Sequence, residues 1–433
     1  ISSFIPGLRM KEYIRKLPQE IQELINLAKD IAVRRNVRAY LVGGFARDLI
    51  LGVKNFDLDI VVEGDGIAFA EEFSRELQAK LIRHRRFGTA TALVKLHLKV
   101  DFSTARKEFY PEPAHLPVVE SGSLRDDLFR RDFTINAMAI SIADHGFGEL
   151  VDFFDGKVDL RRKKIRVMHK LSFIDDPTRI LRAVRFEQRY DFRITPETLK
   201  FLKDAVRQKM LDKVQPQRLR DDLILILKEN MPIKELRRIN KLAGLSFLCS
   251  GLKGSEKVFG LLGSVEKEIA WFRGLHPQRR HLDAWLIYLM GLLDQLDAAD
   301  IKGIFRRFAF KKGEEKRILD YKGLSRDFIL KLSKKALKPS DVYALLEPLS
   351  YEVMLLIKAK YKNRNFKKYI EDFLGVYSGM RIHLSGDDLR ENGFEPGPHY
   401  QKIFRKILIA RLDGKVRTRE DELSLLTKVY TKK

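Results

Sequence analysis

Asp57 and Asp59 follow a glycine pair closely: the chain reads Leu41-Val42-Gly43-Gly44-Phe45-Ala46-Arg47-Asp48, continues through Gly52, and resumes as Phe56-Asp57-Leu58-Asp59-Ile60-Val61-Val62. On an extended segment, side chains two apart leave the same face, so the two carboxylates point together. Paired carboxylates suit Mg²⁺, which takes hard oxygen ligands and completes its shell with substrate phosphates. The glycines let the backbone come close to a polyphosphate, and the helix N-terminus that they open favours anions. The chemistry implied is nucleotidyl transfer from a nucleoside triphosphate.

Three further segments add to this reading. Asp101, in Lys99-Val100-Asp101-Phe102-Ser103-Thr104-Ala105-Arg106, sits on a strand that can lie beside Asp57 and Asp59. It is either a third metal carboxylate or a strand-end acid paired with Arg106. Arg130-Arg131-Asp132, followed by Asn136-Ala137, offers cations and polar groups for a triphosphate and a ribose. In Asp175-Asp176-Pro177-Thr178-Arg179, proline marks a helix start, and Asp176 and Arg179 are expected to project together at i,i+3. Their donors and acceptors match the edge of a base, although a capping aspartate with a surface ion pair is the alternative.

These residues need elements to hold them. The periodicity predicts a helix over 10–36, a strand over 38–42, a short helix over 44–51 and a strand over 56–62. A helix from Ile67 to about Leu81 follows, then a hairpin of strands 88–96 and 98–104. The prolines Pro111, Pro113 and Pro117 make 110–122 a loop, and Ser123-Leu124-Arg125-Asp126 is a helix start. Beyond about residue 170 the period is helical, including Leu223–Leu227. The expected fold is an α+β head, with a mixed sheet of about five strands and helices, followed by an all-α remainder.

Lysine and arginine total 83 against 59 acids, a net charge of +24, which indicates a polyanionic partner. Basic clusters recur at Arg161–Lys164, Arg237-Arg238, Arg279-Arg280, Arg306-Arg307, Lys334-Lys335 and Lys358–Lys368. Each alone reads as a solvated face; their recurrence favours a surface that tracks phosphates, with Lys358, Lys360, Lys362, Arg364, Lys367 and Lys368 as its RNA-binding residues. The single cysteine, Cys249, excludes a disulfide framework and a thiolate zinc site and suits the cytoplasm. No apolar run is long enough to span a membrane. The chain opens Ile1-Ser2-Ser3-Phe4, without an initiator Met, which suggests a piece of a longer or processed chain.

The motifs occur in order, and the chain resembles the class II tRNA nucleotidyltransferase and bacterial poly(A) polymerase family of the polymerase-β superfamily. The resemblance rests on Gly43–Asp48 with Asp57-Leu58-Asp59, Arg130-Arg131-Asp132 with Asn136-Ala137, Asp175–Arg179, and Asp152-Phe153-Phe154-Asp155-Gly156, which is similar to the family's flexible linker. It returns at Leu384–Leu389 and Pro396-Gly397-Pro398, near the C-terminus. It implies an N-terminal helical segment (1–37), a catalytic head (38–165), a base-recognition neck (166–235), a body (236–340) and a tRNA-binding tail (341–433). By its implication Asp57 and Asp59 are catalytic and hold two Mg²⁺. Gly43, Gly44, Arg47, Arg131, Asp132, Asn136 and Arg185 bind the nucleotide, and Asp176 with Arg179 reads CTP and ATP. The implied partner is the acceptor and TΨC arm of tRNA, and the implied reaction is addition of CMP, CMP and AMP. CC-only or A-only addition is the alternative, then poly(A) synthesis, and last a non-enzymatic RNA-binding module. The chain departs from the family at Asp175, where Glu is frequent, and at Gln217, where a Glu usually precedes the Arg. Arg85-Arg86-Phe87-Gly88-Thr89 looks more like the tRNA-directed enzymes than the polymerases, and segment 109–122 is similar to the mobile loop tied to nucleotide switching.

Overall fold

The computed structural model describes residues 10–94, 98–275 and 282–430, side chains at 429 and 430 excepted. The Arg279-Arg280 cluster and the opening Ile1-Ser2-Ser3-Phe4 lie outside the described residues. The chain forms two compact units: residues 1–226 with 234–243, and residues 227–233 with 244–433.

The first unit begins with two helices, α1 (Met10–Ile14) and α2 (Gln19–Arg34), where one was expected. The break falls at Pro18, whose extended ψ of 145° starts a new helix and leaves Ile21, Leu24, Ile25, Ala28 and Ile31 buried along one stripe. Strand β1 (Arg38–Val42), helix α3 (Gly44–Leu51) and strand β2 (Leu58–Glu63) follow. Asp59 is thus on a strand, while Asp57 sits one residue before it. Helix α4 (Gly66–Glu76) is capped by Asp65, whose carboxylate accepts from the amides of Ile67 and Ala68. It ends five residues short of the expected Leu81, because Gln78 turns the chain at φ 49°. Lys80–His84 is instead an edge strand, β3, followed by β4 (Thr89–Leu93) and β5 (Lys99–Thr104). Phe69 and Phe73 of α4 pack on Phe102 of β5, with ring centroids 5.7 and 4.9 Å apart.

The segment expected to be a loop over 110–122 contains a strand: β6 (Arg106–Phe109) and β7 (Val118–Ser121) form a separate hairpin. The Ser123 capping box then opens α5 (Leu124–Phe129) as expected. Strands β8 (Ala139–Ser141) and β9 (Leu150–Val151) complete a sheet of order β3-β4-β5-β2-β1-β8-β9. It has seven strands, not about five, because edge pairs this short carry little periodic signal. The β2–β5 pairing is parallel and sets Asp59 opposite Asp101; the others are antiparallel.

The segment resembling a flexible linker is a tight turn into α6 (Gly156–Arg161). Asp152 accepts from the amides of Gly156 (2.9 Å) and Lys157 (2.8 Å), and a Cβ at Gly156 would come within 2.2 Å of the Thr134 carbonyl. Next come β10 (Lys164–Ile165), α7 (Ser172–Asp175), α8 (Arg179–Arg189), β11 (Arg193–Ile194), α9 (Pro196–Arg207), α10 (Pro216–Leu227) and α11 (Pro232–Ala243). The short β10–β11 pair is the exception to the helical reading beyond residue 170.

The second unit is helical: α12 (Glu256–Leu275), α13 (Ala284–Leu292), α14 (Ala298–Phe308), α15 (Lys312–Lys322), α16 (Arg326–Leu332), α17 (Pro339–Leu346), α18 (Tyr351–Lys360), α19 (Arg364–Gly375), α20 (Gly386–Glu391), α21 (His399–Leu412) and α22 (Arg419–Tyr430). Helix α13 is buried from Trp285 to Leu292 and packs against α12 and α18. None of the described helices is long and apolar enough to cross a membrane.

One residue of the expected RNA-binding set is misassigned. Lys358 is 3% exposed, with its ammonium 2.5 Å from Glu268, 3.0 Å from Glu371 and 3.4 Å from the centre of the Trp271 ring. It sits on the all-buried stretch Glu352–Ala359 of α18, where a polyanion cannot reach it. Its neighbours are nearer the surface: Lys360 bonds Asp294 (2.7 Å) and Lys367 reaches Glu268 (3.5 Å), while Lys362, Arg364 and Lys368 are exposed. Removing one partner of a buried ion pair strands the other. Lys358→Ala is expected to cost about 3 kcal/mol, whereas Lys362→Ala leaves stability unchanged; urea denaturation of the two variants checks this.

Candidate functional site

A cleft of about 710 Å³ in the first unit is lined by Gly43, Gly44, Asp57, Asp59, Arg131, Asp132, Asn136, Asp176, Arg179 and Arg185, among others. The turn between β1 and α3 makes the approach possible. Gly43 has φ 66°, and a Cβ there would lie 2.7 Å from Nη1 of Arg131 and 3.7 Å from Oδ2 of Asp59. Any side chain would therefore displace the arginine from the acid site.

Asp57 is exposed and Asp59 half-buried. Burial pushes the Asp59 carboxyl up to about 6; Arg131 and Lys99 oppose this, and the neighbouring Asp101 and Asp57 add to it. Asp101 lies opposite Asp59 but accepts from Thr91 (2.5 Å) and Lys99 (3.3 Å), and Arg106 turns instead to Glu108 and the Phe87 carbonyl. Among the described residues no three His, Cys, Asp or Glu side chains cluster as a metal cage. Of the three acids expected to hold the metal, Asp57 and Asp59 line the cleft and Asp101 does not.

The cations divide into those that face the cleft and those that build it. Arg130 and Arg131 share Asp127, which is fully buried, at 2.7 and 2.9 Å. Arg131 keeps a buried Nε without a partner. Arg47, expected to grip phosphate, is committed elsewhere: Nε and Nη2 bind Asp48 (2.8 and 2.9 Å) and Nη1 binds Asn136 (2.5 Å). Its guanidinium also lies 5.2 Å from the Phe186 ring and 4.8 Å from that of Tyr190. Three of its five N–H donors are thus engaged within the protein, and Arg47 still lines the cleft. Asp132 accepts from Asn136 (2.8 Å) and from Arg182 twice (2.9 and 2.6 Å), so it also serves as framework.

Asp176 is not on α8, contrary to the i,i+3 expectation. It is extended (φ −133°), and its carboxylate accepts from Thr178 and pairs with Arg218 at 2.8 Å. Proline at 177 ends α7 and sends the chain across before α8 begins. Arg179, 4% exposed, donates to the Ser172 hydroxyl (2.6 Å) and the Arg130 carbonyl (2.7 Å). Both residues still line the cleft. Sequence reasoning missed Asn55, Glu108, Tyr110, Arg182 and Arg218, which line it too. For Arg182 the signal was present: with Phe186 and Tyr190 it forms an i, i+4, i+8 stripe of an arginine and two aromatics on α8.

Sheet, acid pair and arginine wall together define a nucleotidyltransferase-type head, and residues 39–166 match the poly A polymerase head domain. The chain is 36% identical over 420 residues to the A-adding tRNA nucleotidyltransferase of Geobacter sulfurreducens, covering 96% of this chain and 48% of that one. It is 30% identical to the A-adding tRNA nucleotidyltransferase of Halalkalibacterium halodurans, covering 95% of this chain and 93% of that one. The Thermotoga maritima CCA-adding enzyme complexed with tRNA superimposes with a TM-score of 0.71 at 33% identity, over 98% of this chain and 99% of that one. The chain belongs to the tRNA nucleotidyltransferase and poly(A) polymerase family. It spans about half the length of the Geobacter relative.

Asp222, behind Arg182 at 3.9 Å, gives a pH test. Burial raises its carboxyl from 3.8 to about 6, with Arg182 opposing and Asp176 adding. A raised acid favours the fold in its protonated form, so this contribution is full below pH 3.8 and is lost as pH rises through about 6. Asp222→Asn, permanently neutral, is expected to stabilise the protein by about 3 kcal/mol at pH 8 and by almost nothing at pH 4. Melting curves at the two pH values check this; equal gains at both would show that the effect is not titration.

Proposed function

We propose that this chain adds nucleotides, without a nucleic-acid template, to the 3′ end of tRNA. The observation that carries it is the single cleft in which two acids face an arginine wall across a glycine turn. The acids hold Mg²⁺, in the reading adopted here two ions, through Asp57 and Asp59. Bound there, the metal supplies charge neutralisation on the triphosphate and a more acidic 3′-hydroxyl. The protein orients the reactants. Arg131, with Asp127 behind it, takes phosphate oxygens over Gly43, and Asp176 and Arg179 present a carboxylate and a guanidinium to the base. Arg185 adds a cation on the same wall. Exposed cations of the second unit, Lys362, Arg364 and Lys368, take backbone phosphates of the acceptor and TΨC arm, which A-form geometry presents by shape.

For nucleotide choice we favour AMP addition, because both relatives described above carry the A-adding name over nearly the whole of this chain. Full CCA addition, the first expectation from the sequence, is the second reading; the likeness to the Thermotoga CCA-adding enzyme favours it. The test supplies purified protein and Mg²⁺ with tRNAs ending before CCA, after C and after CC, with CTP, ATP or both, and sizes the products to one nucleotide. One A on the CC-ending tRNA alone supports A-addition. Three additions to the shortest tRNA support CCA synthesis, and long A tails a polymerase. No extension of any tRNA would remove the enzymatic reading.

Two consequences follow for variants and salt. Asp57→Ala is expected to lower addition at least a thousandfold while filter binding of tRNA stays within twofold. Binding itself should weaken steeply between 50 and 200 mM salt; a flat curve would argue against phosphate tracking.

A further inference from the structure

Asp57 stands in residues 53–57, which are neither helix nor strand. A metal-binding carboxylate on such a stretch needs something to fix it, and the structure shows what does. The Asp57 amide donates to Oδ1 of Asn55 at 3.1 Å, bending the chain just before β2. Nδ2 of Asn55 donates to Oδ2 of Asp48 at 2.8 Å, and the Tyr190 hydroxyl donates to Oδ1 of Asp48 at 2.9 Å. With the two bonds from Arg47, Asp48 accepts from four donors while 1% exposed. The Asp57 amide can only donate, so Asn55 turns its oxygen to that amide and its amide nitrogen to Asp48. Tyr190 closes α8, whose first residue, Arg179, is beside Asp176 at the base-reading end of the cleft.

We infer that Tyr190 and Asn55 are positioning residues, acting through Asp48, that couple helix α8 to the orientation of Asp57. One rigid helix of about 16 Å therefore carries Arg179 at one end and, at the other, the hydroxyl that anchors the acid loop. Neither residue touches the nucleotide or the metal in this role. The inference rests on Asp57 being a cation ligand, as proposed above.

The experiment titrates the full chain and its variants with Mn²⁺, reading free metal by electron paramagnetic resonance, so that no turnover is needed. Asp57→Asn tests the underlying reading and should abolish the tight Mn²⁺ site. Tyr190→Phe keeps the ring that stacks on Arg47 and removes only the donor. We expect about tenfold weaker Mn²⁺ binding for Asn55→Ala, the low end of what is lost when the support of a metal ligand is removed, and about threefold for the more remote Tyr190→Phe. The double variant should be no weaker than Asn55→Ala, because both act through one carboxylate. Tyr190→Phe, at a residue outside the cleft lining, should raise the metal concentration needed for half-maximal addition and leave the KM for ATP at saturating metal unchanged. Wild-type affinity in both single variants, with the site lost in Asp57→Asn, would overturn the coupling alone. Multiplicative losses in the double variant would also overturn it. Full binding by Asp57→Asn would overturn the metal reading and the inference together. If Asn55→Ala does not fold, Asn55→Ser, which keeps an acceptor for the Asp57 amide and loses the reach to Asp48, should behave like Tyr190→Phe.

Discussion

The ion pair between Asp132 and Arg182 is the constraint on which the cleft depends. Two contacts of 2.9 and 2.6 Å, on an acid that is 8% exposed, join the end of the Arg130-Arg131-Asp132 segment to the second turn of α8. Burial opposes the charge on Asp132, but Arg182 and the Asn136 amide hold its carboxyl below the usual range, and the acid keeps Arg182 charged. Such a pair adds little net stability over an apolar contact, yet breaking it leaves a buried charge and is costly. It therefore fixes geometry. From Asp132 the bonds continue through Asn136 to Arg47 and Asp48, and Phe186 and Tyr190 cover Arg47 from the same helix. The stripe 182, 186, 190 thus locks α8 to the turn that carries the glycine pair.

The charge of the cleft follows the same logic. Arg130 and Arg131 are opposed by Asp127, Arg182 by Asp132 and Asp222, and Arg218 by Asp176. Each acid lowers the repulsion among cations that would otherwise splay the walls, and each leaves some nitrogens for a ligand. The lattice thus holds its cations in place before any ligand arrives. At the acid end the balance differs: burial first, then the neighbouring Asp101 and Asp57, raises Asp59, with Arg131 and Lys99 opposing.

What the sequence made legible was local. The strand–glycine–helix–strand order, the Ser123 capping box and the long helical remainder all depend on spacing within a few residues and stand where they were expected, although Asp57 falls one residue before its strand. The failures came where tertiary contact decides. Edge strands such as β3 and β7 have no buried face to impose alternation, so Lys80–His84 reads as a helix end and Val118–Ser121 as loop. Asp176 left the helix because proline at 177 restricts the preceding residue, a rule the i,i+3 reading overlooked. Lys358 was counted as surface because its run is basic, whereas Glu352–Ala359 is buried throughout and Glu268 waits beneath it.

Arg47 and Lys358 make one point about reading cations from sequence. A guanidinium or ammonium near a phosphate motif is a ligand only if its donors remain unspent after the fold has formed. Arg47 has three bonds to Asp48 and Asn136 and two aromatic faces over it; Lys358 has two carboxylates and an indole. Lys358 raises the net charge of +24 without offering it to a partner, whereas Arg47 keeps two donors at the cleft lining. Arg131 carries the same charge under a different constraint: one acid holds it, its Nε has no partner, and a glycine without a side chain leaves its Nη1 open to the turn. The long-range field that draws a polyanion counts all of these cations. Contact at the cleft depends on the few that the protein has left incompletely satisfied.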